Sequence, residues 1–186
     1  MLAAEYLTAE DLARIHNKDH RYELVDGRLL VREPAGYTHG SVAARLIARL
    51  VTYVDQNALG VVLATDAGYI LRRAPDTVRA PDASFISRHR IPHPRPRSFA
   101  EMAPDLAVEI LSPSNRPAEV EARVRDLFRA GTRLVWILDP ERESGSVLRP
   151  GAEPRGLSAD DFLDGEDVIP GFRCALREIL GAPSES

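Results

Sequence analysis

The sequence predicts an α/β fold, a mixed β-sheet flanked by helices and preceded by an N-terminal helix and a β-hairpin. Three observations predict it. Two long stretches, 38–57 and 112–131, carry apolar residues at helical spacing and alternate with short strand-like runs. The second stretch lies between the apolar runs "LAVEIL" and "RLVWIL". That arrangement is a βαβ unit, whose strands are parallel with a right-handed crossover. The third is "YELVDGRLLV", two strand-like runs joined by Asp26-Gly27, the strongest short hairpin signal.

The elements follow in order. "TAEDLARIH" opens on Thr8 as N-cap with Asp11 three residues on, so a short helix begins there. The hairpin comes next. "THGSVAARLIARLVTYVDQN" sets Val42, Leu46, Leu50 and Tyr53 on one face, with Thr38 or Ser41 as cap. "GVVLAT", "GYILRR" and "DASFIS" read as three strands, the last two separated by "APDTVRAP". Proline spacing makes "RHRIPHPRPRSFAEMAP" a loop. After "LAVEIL", Ser114 or Asn115 caps a helix with Pro117 early, Val120, Val124, Leu127 and Phe128 on one face, and Gly131 as stop. "RLVWIL" is a buried strand, "GSVLRP" an edge strand, and "DGEDVIPGFRCALREIL" a turn and a short last helix.

Composition narrows the function classes. The 186 residues are 44% apolar and 28% charged, enough for one domain with a real core. No apolar run is long enough to span a bilayer, and the early acids predict no signal peptide. Cys174 is the sole cysteine, which excludes an internal disulfide or a cysteine-based zinc site and suits a reducing cytoplasm. The net charge of −4 supplies no global field for nucleic acid. Lys18 is the only lysine among 24 basic residues, so a lysine-dependent mechanism has almost nothing to use.

Glu109 poses the chemical question. It interrupts the apolar run of "PDLAVEILSPSN", and an unpaired carboxylate inside a covered strand costs several kcal/mol or stays protonated. Asp105 shares its face but sits roughly 13 Å away at about 3.3 Å per residue, too far to share one small cation. A partner must come from a neighbouring strand, and Asp82 at the start of "DASFIS" is the best candidate. Two carboxylates brought together repel, and a divalent cation between them removes the repulsion. The alternative partner for Glu109 is an arginine of the following helix.

"YELVDGRL", "THGSVAARL", "VRAPDASFIS", "APDLAVEILSPSN" and "RVRDLFRAGTRLVWILDP" together resemble the Uma family of restriction-endonuclease-like proteins, within the PD-(D/E)xK nuclease superfamily, from about residue 7 to about residue 176. The resemblance implies a restriction-endonuclease-like fold over 1–186: an N-terminal helix and hairpin (1–36), a nuclease-like core (37–140), and a C-terminal strand and helix (141–186). It implies that Asp82 and Glu109 bind Mg²⁺ or Mn²⁺, one or two ions, for hydrolysis of DNA phosphodiesters by metal-activated water. The superfamily lysine two residues after the glutamate is Leu111 here. In this family the lysine has moved to the following helix, where the matching residue is Arg123. Arginine stays protonated and so stabilises phosphate charge without acting as a base. A family tyrosine position on that helix is Leu127. Glu23 and His39 also fall on shared positions, as further ligand, carboxylate support or phosphate contact. DNA is the implied partner, and a homodimer follows from superfamily habit.

Other constellations carry less. "RHRIPHPRPR" places Arg88, Arg90, Arg95 and Arg97 in a loop that could contact DNA phosphates or simply be solvated. His89 and His93 are four apart, but prolines prevent the helix that would aim them at one ion. Asp11, Asp19 and the acids of "SADDFLDGED" read as caps and surface charge. No glycine-rich phosphate loop and no serine nucleophile elbow occur. Two functions follow: a metal-dependent endonuclease, and a degenerate module on the same fold that binds nucleic acid or a protein without cleaving.

Overall fold

The computed structural model describes residues 6–15 and 20–181; Lys18 and Asp19 lie outside them. Helix α1 (Ala9–Ala13) begins with a reciprocal capping box between Thr8 and Asp11. Strands β1 (Arg21–Val25) and β2 (Arg28–Arg32) form the hairpin, with Val25 opposite Arg28 and Arg21 opposite Arg32. Asp26 and Gly27 both take positive φ, at 52° and 72°, the turn that matches the twist of the flanking strands. Gly27 is required twice over, because a Cβ there would lie 2.6 Å from the Cβ of Tyr6.

Helix α2 (Tyr37–Gln56) starts earlier than Thr38 or Ser41 would set it. Gly36, in extended backbone, is its N-cap, and no side chain caps it. Strands β3 (Gly60–Ala64), β4 (Tyr69–Arg72), β5 (Thr77–Arg79) and β6 (Ala83–Ser87) follow. The "APDTVRAP" segment thus holds a strand, three residues long between two prolines and too short to show a period. Strand β7 (Leu106–Ile110) is buried throughout. Helix α3 (Pro117–Ala130) has Arg116 as N-cap rather than Ser114 or Asn115. Asn115 instead accepts the Ser112 N–H at 2.7 Å and closes the turn before the helix. Gly131 ends α3 in the left-handed region, as a helix C-cap glycine does.

Beyond it come β8 (Leu134–Asp139), β9 (Ser144–Leu148), β10 (Arg155–Leu157), β11 (Phe162–Asp164), β12 (Arg173–Ala175) and α4 (Leu176–Leu180). The main sheet has the order β10-β9-β8-β7-β6-β3. Its β7–β8 pair is parallel, as the βαβ pattern requires, and the other pairs are antiparallel. "GSVLRP" is therefore not an edge, because the three-residue β10 covers it. A second sheet, β2-β1-β5-β4, joins the hairpin to β4 and β5.

The main sheet is covered on both faces. Val42, Leu46, Leu50 and Val54 of α2 pack with Leu106, Val108, Ile110, Leu134, Trp136 and Leu138. Val124 and Leu127 of α3 pack with Ala107 and Val135 on the other face. Side chains alternate along a strand, so Glu109 shares the α3 face with Ala107. That alternation decides which groups Glu109 meets.

Candidate active site

Asp82 precedes β6 by one residue, and its neighbour Ala83 pairs with Val108 of β7. Its backbone N–H reaches the Val108 carbonyl at 2.9 Å, while its Oδ2 accepts the Ile110 N–H at 2.8 Å. Strand pairing thus carries Asp82 to the carboxyl end of β7, beside Glu109. Both acids are buried, and both line one cleft of about 430 Å³. Its other walls include Arg21, Leu30 and Arg32 of the hairpin, His39 of α2, the Ser112–Asn115 turn, and Arg123 of α3.

Arg123 stands one turn before Leu127 on the buried face of α3 and is 3% exposed. Its guanidinium reaches Glu109 at 3.1 Å and Glu23 at 2.8 Å. The arginine of the following helix is therefore Glu109's direct partner. Glu23 lies behind Arg123 rather than in the cleft lining. It also holds Arg79 at 3.1 Å, accepts the Ala80 N–H at 2.9 Å and approaches Arg32 at 3.4 Å. Arg79 continues the network to Asp126 at 2.6 Å. His39 Nε2 is 3.1 Å from Asp82 Oδ2, and Arg21 reaches Asp82 Oδ1 at 3.3 Å.

The charges are not equally settled. Burial alone would raise every carboxylate here. Arg123, Arg79 and Arg32 overcome that for Glu23 and hold it below the usual range. His39, the Ile110 N–H and Arg21 do the same for Asp82. Glu109 is different. Burial pushes it up to about 7, Arg123 offsets only part of this, and the neighbouring Asp82 and Glu23 charges raise it further. Arg123 divides itself between two acids, and its shorter contact goes to Glu23.

The donor set fits a hard divalent cation. Mg²⁺ is commonly held by one or two carboxylates, with water completing the shell. Asp82 and Glu109 are such a pair; burial, with the Asp82 and Glu23 charges beside it, raises Glu109's affinity for a proton, and a bound cation would relieve that repulsion. They would be the side-chain share of the coordination, since no group of three or more ligating acids, histidines or cysteines occurs among the described residues. Arg21 and His39 are the groups an ion would compete with at Asp82.

The arginine loop lies elsewhere. Arg88 and Arg90 form a single 3-10 turn after β6, which begins about 20 Å along the chain from Asp82 at about 3.3 Å per residue. Arg90 is committed to Asp105 at 2.6 Å, Arg95 and Arg97 are exposed, and none of the four lines the cleft. Asp105 is structural: buried, it also accepts the Ser87 N–H at 2.8 Å.

Arg21 and Arg32 are cleft residues that the motif reading missed. A two-residue turn at Asp26-Gly27 sets Arg21 opposite Arg32 and on the face of Glu23, so the register was available in the sequence.

The family model described as "Uma2: Putative restriction endonuclease" matches residues 4–177. The chain belongs to the Uma2 family. A solved structure, titled as a putative nuclease belonging to DUF820 from Anabaena variabilis ATCC 29413, superposes with a TM-score of 0.80. The two share 18% identity, and the match covers 92% of this chain and 96% of that one. That likeness establishes the nuclease-like fold. A search of curated proteins found none significantly similar to this chain. Among the described residues, no helix is long and apolar enough to cross a membrane.

Proposed function

We propose that this Uma2 chain is a metal-dependent endonuclease acting on DNA. The observation that carries the proposal is the pairing of Asp82 with Glu109 in one cleft, with Glu109 pushed up to about 7. A bound Mg²⁺ or Mn²⁺ would polarise a scissile phosphate and supply a water of lowered pKa. The chain's own residues do the rest. Asp82 is fixed by the Ile110 N–H and by His39, so its carboxylate is oriented before any substrate arrives. Glu23, with Arg79 behind it, holds Arg123 at the cleft wall. Arg123 carries a permanent charge and stabilises the anionic phosphate, but it takes no proton from water.

A specific observation favours a second function. Both oxygens of Asp82 already have partners, and Arg123 fills the space between Glu109 and Glu23. A module that binds nucleic acid without cleaving it would keep this arrangement. Plasmid nicking in Mg²⁺ and in Mn²⁺ separates the two. The endonuclease nicks, Asp82→Asn and Glu109→Gln abolish nicking, and Arg123→Lys retains more activity than Arg123→Ala. Absence of metal-dependent nicking in the folded wild type, with DNA affinity that survives Glu109→Gln, would establish the binding module.

A further inference from the structure

Arg21 and Arg32 face each other directly across β1 and β2. Cross-strand neighbours hold their Cβ atoms about 4.5–5.5 Å apart, and like charges in that position oppose folding. Neither side chain escapes into bulk water, since they are 20% and 23% exposed and both line the cleft. Their acidic partners occupy only part of each guanidinium. Arg21 donates through Nε to Asp66 at 2.7 Å and through one Nη to Asp82 at 3.3 Å. Arg32 Nε lies 3.4 Å from Glu23, yet it is a buried donor with no hydrogen-bond acceptor. Among the described residues, the second Nη of Arg21 and both Nη atoms of Arg32 have no acceptor either.

A repulsive pair with unused donors, held against a cleft wall, is poor as structure and good as an anion receptor. We propose that Arg21 and Arg32 form a phosphate clamp. Arg32 presents its two Nη groups as a fork and Arg21 adds its second Nη, and a phosphodiester offers two non-bridging oxygens that these donors can share. Glu33 and Glu119 line the same cleft, so the clamp selects by fork geometry rather than by net charge. The pair sits beside Asp82, through Arg21, and beside Arg123's anchor, through Glu23. It thus positions a strand across the two carboxylates. The identity of the ligand as nucleic acid rests on the endonuclease proposal; the clamp itself needs no metal ion.

The test is therefore made in EDTA, with inorganic phosphate and with a short single-stranded deoxyoligonucleotide as separate probes. Phosphate raises the wild-type thermal midpoint above that in chloride of equal ionic strength. Arg21→Gln and Arg32→Gln each abolish that rise and weaken oligonucleotide binding about tenfold or more. Each also lowers the slope of affinity against salt by about one. Arg21→Lys and Arg32→Lys keep the charge beside Asp82 and Glu23, and so keep the fold, but recover only part of the affinity. Arg142→Gln removes the same charge from a side chain 81% exposed and changes neither probe. A wild type that binds neither probe, or folded Arg21 and Arg32 variants that bind both as the wild type does, overturns the clamp. Phosphate and oligonucleotide binding with no cleavage in Mg²⁺ or Mn²⁺ would sink the endonuclease and leave the clamp standing. Cleavage with binding untouched by Arg21→Gln and Arg32→Gln would do the reverse.

Discussion

Glu109 should make the protein less stable as the pH rises through neutrality when no divalent cation is present. In the folded chain its carboxyl is pushed up to about 7, from an ordinary value of 4.5. Below 4.5 both folded and unfolded chains keep the proton, and the full contribution of Glu109 to stability is present. Between 4.5 and about 7 the unfolded chain releases the proton while the folded chain retains it, so stability falls. Above about 7 the loss is complete. At about 1.4 kcal/mol per pH unit of difference, the drop from about pH 5 to about pH 8 is on the order of 2 to 3 kcal/mol. Urea denaturation in EDTA across that range, for the wild type and for Glu109→Gln, isolates the effect, because every other titrating group is common to both. Asp82 and Glu23 are shifted downward, so their contributions change only at lower pH. The gap in stability between wild type and variant should narrow or reverse against the wild type as the pH rises. Parallel curves, or a wild type that gains on the variant with pH, would refute the claim that burial and Asp82 leave Glu109 short of positive charge.

Other perturbations have defined signs. Arg123→Ala leaves Glu109 and Glu23 buried without their shared cation and should cost about 3–5 kcal/mol in chemical denaturation, with Arg123→Lys intermediate. Gly27→Ala meets both a positive φ and the Cβ of Tyr6 at 2.6 Å, whereas Gly151→Ala meets the same φ in open space. The first should therefore lower the thermal midpoint clearly more than the second, which carries only a conformational penalty of about 1 kcal/mol. Asp105→Ala strips Arg90 and the Ser87 N–H of their acceptor and should destabilise the fold by a few kcal/mol, on the order of a broken buried ion pair. It should leave Mn²⁺ binding unchanged once the remaining folded fraction is counted.

The parts of this fold legible in the sequence were those with enough residues to show a period or a strong local stop. The Asp26-Gly27 hairpin, α2, α3 and the parallel β7–β8 pair are of that kind. Strands β5, β10, β11 and β12 are three residues each, and so few residues display no alternation. Caps were harder. Gly36 and Arg116 start helices without a side-chain hydrogen bond, so the more suggestive Thr38, Ser41, Ser114 and Asn115 misled.

The site divides in the same way. A carboxylate inside an apolar strand announced Glu109, and strand spacing made Asp82 its neighbour rather than Asp105. The choice between an arginine and a cation as Glu109's partner depended on which face of β7 meets α3, a tertiary fact. Structure supplied the arginine, and the raised affinity of Glu109 for a proton keeps the cation in the account. Arginine density in "RHRIPHPRPR" drew attention to a loop that does not line the cleft. Arg21 and Arg32, isolated in sequence, reach it through hairpin register.

Isothermal titration of Mn²⁺ into the metal-free protein at about pH 8, above the value near 7 held by Glu109, tests the central claim most directly. The account predicts saturable binding that weakens toward about pH 6 as Glu109 takes up its proton, and that Asp82→Asn and Glu109→Gln each abolish. Binding that survives either substitution, or no binding by the folded wild type, would contradict it.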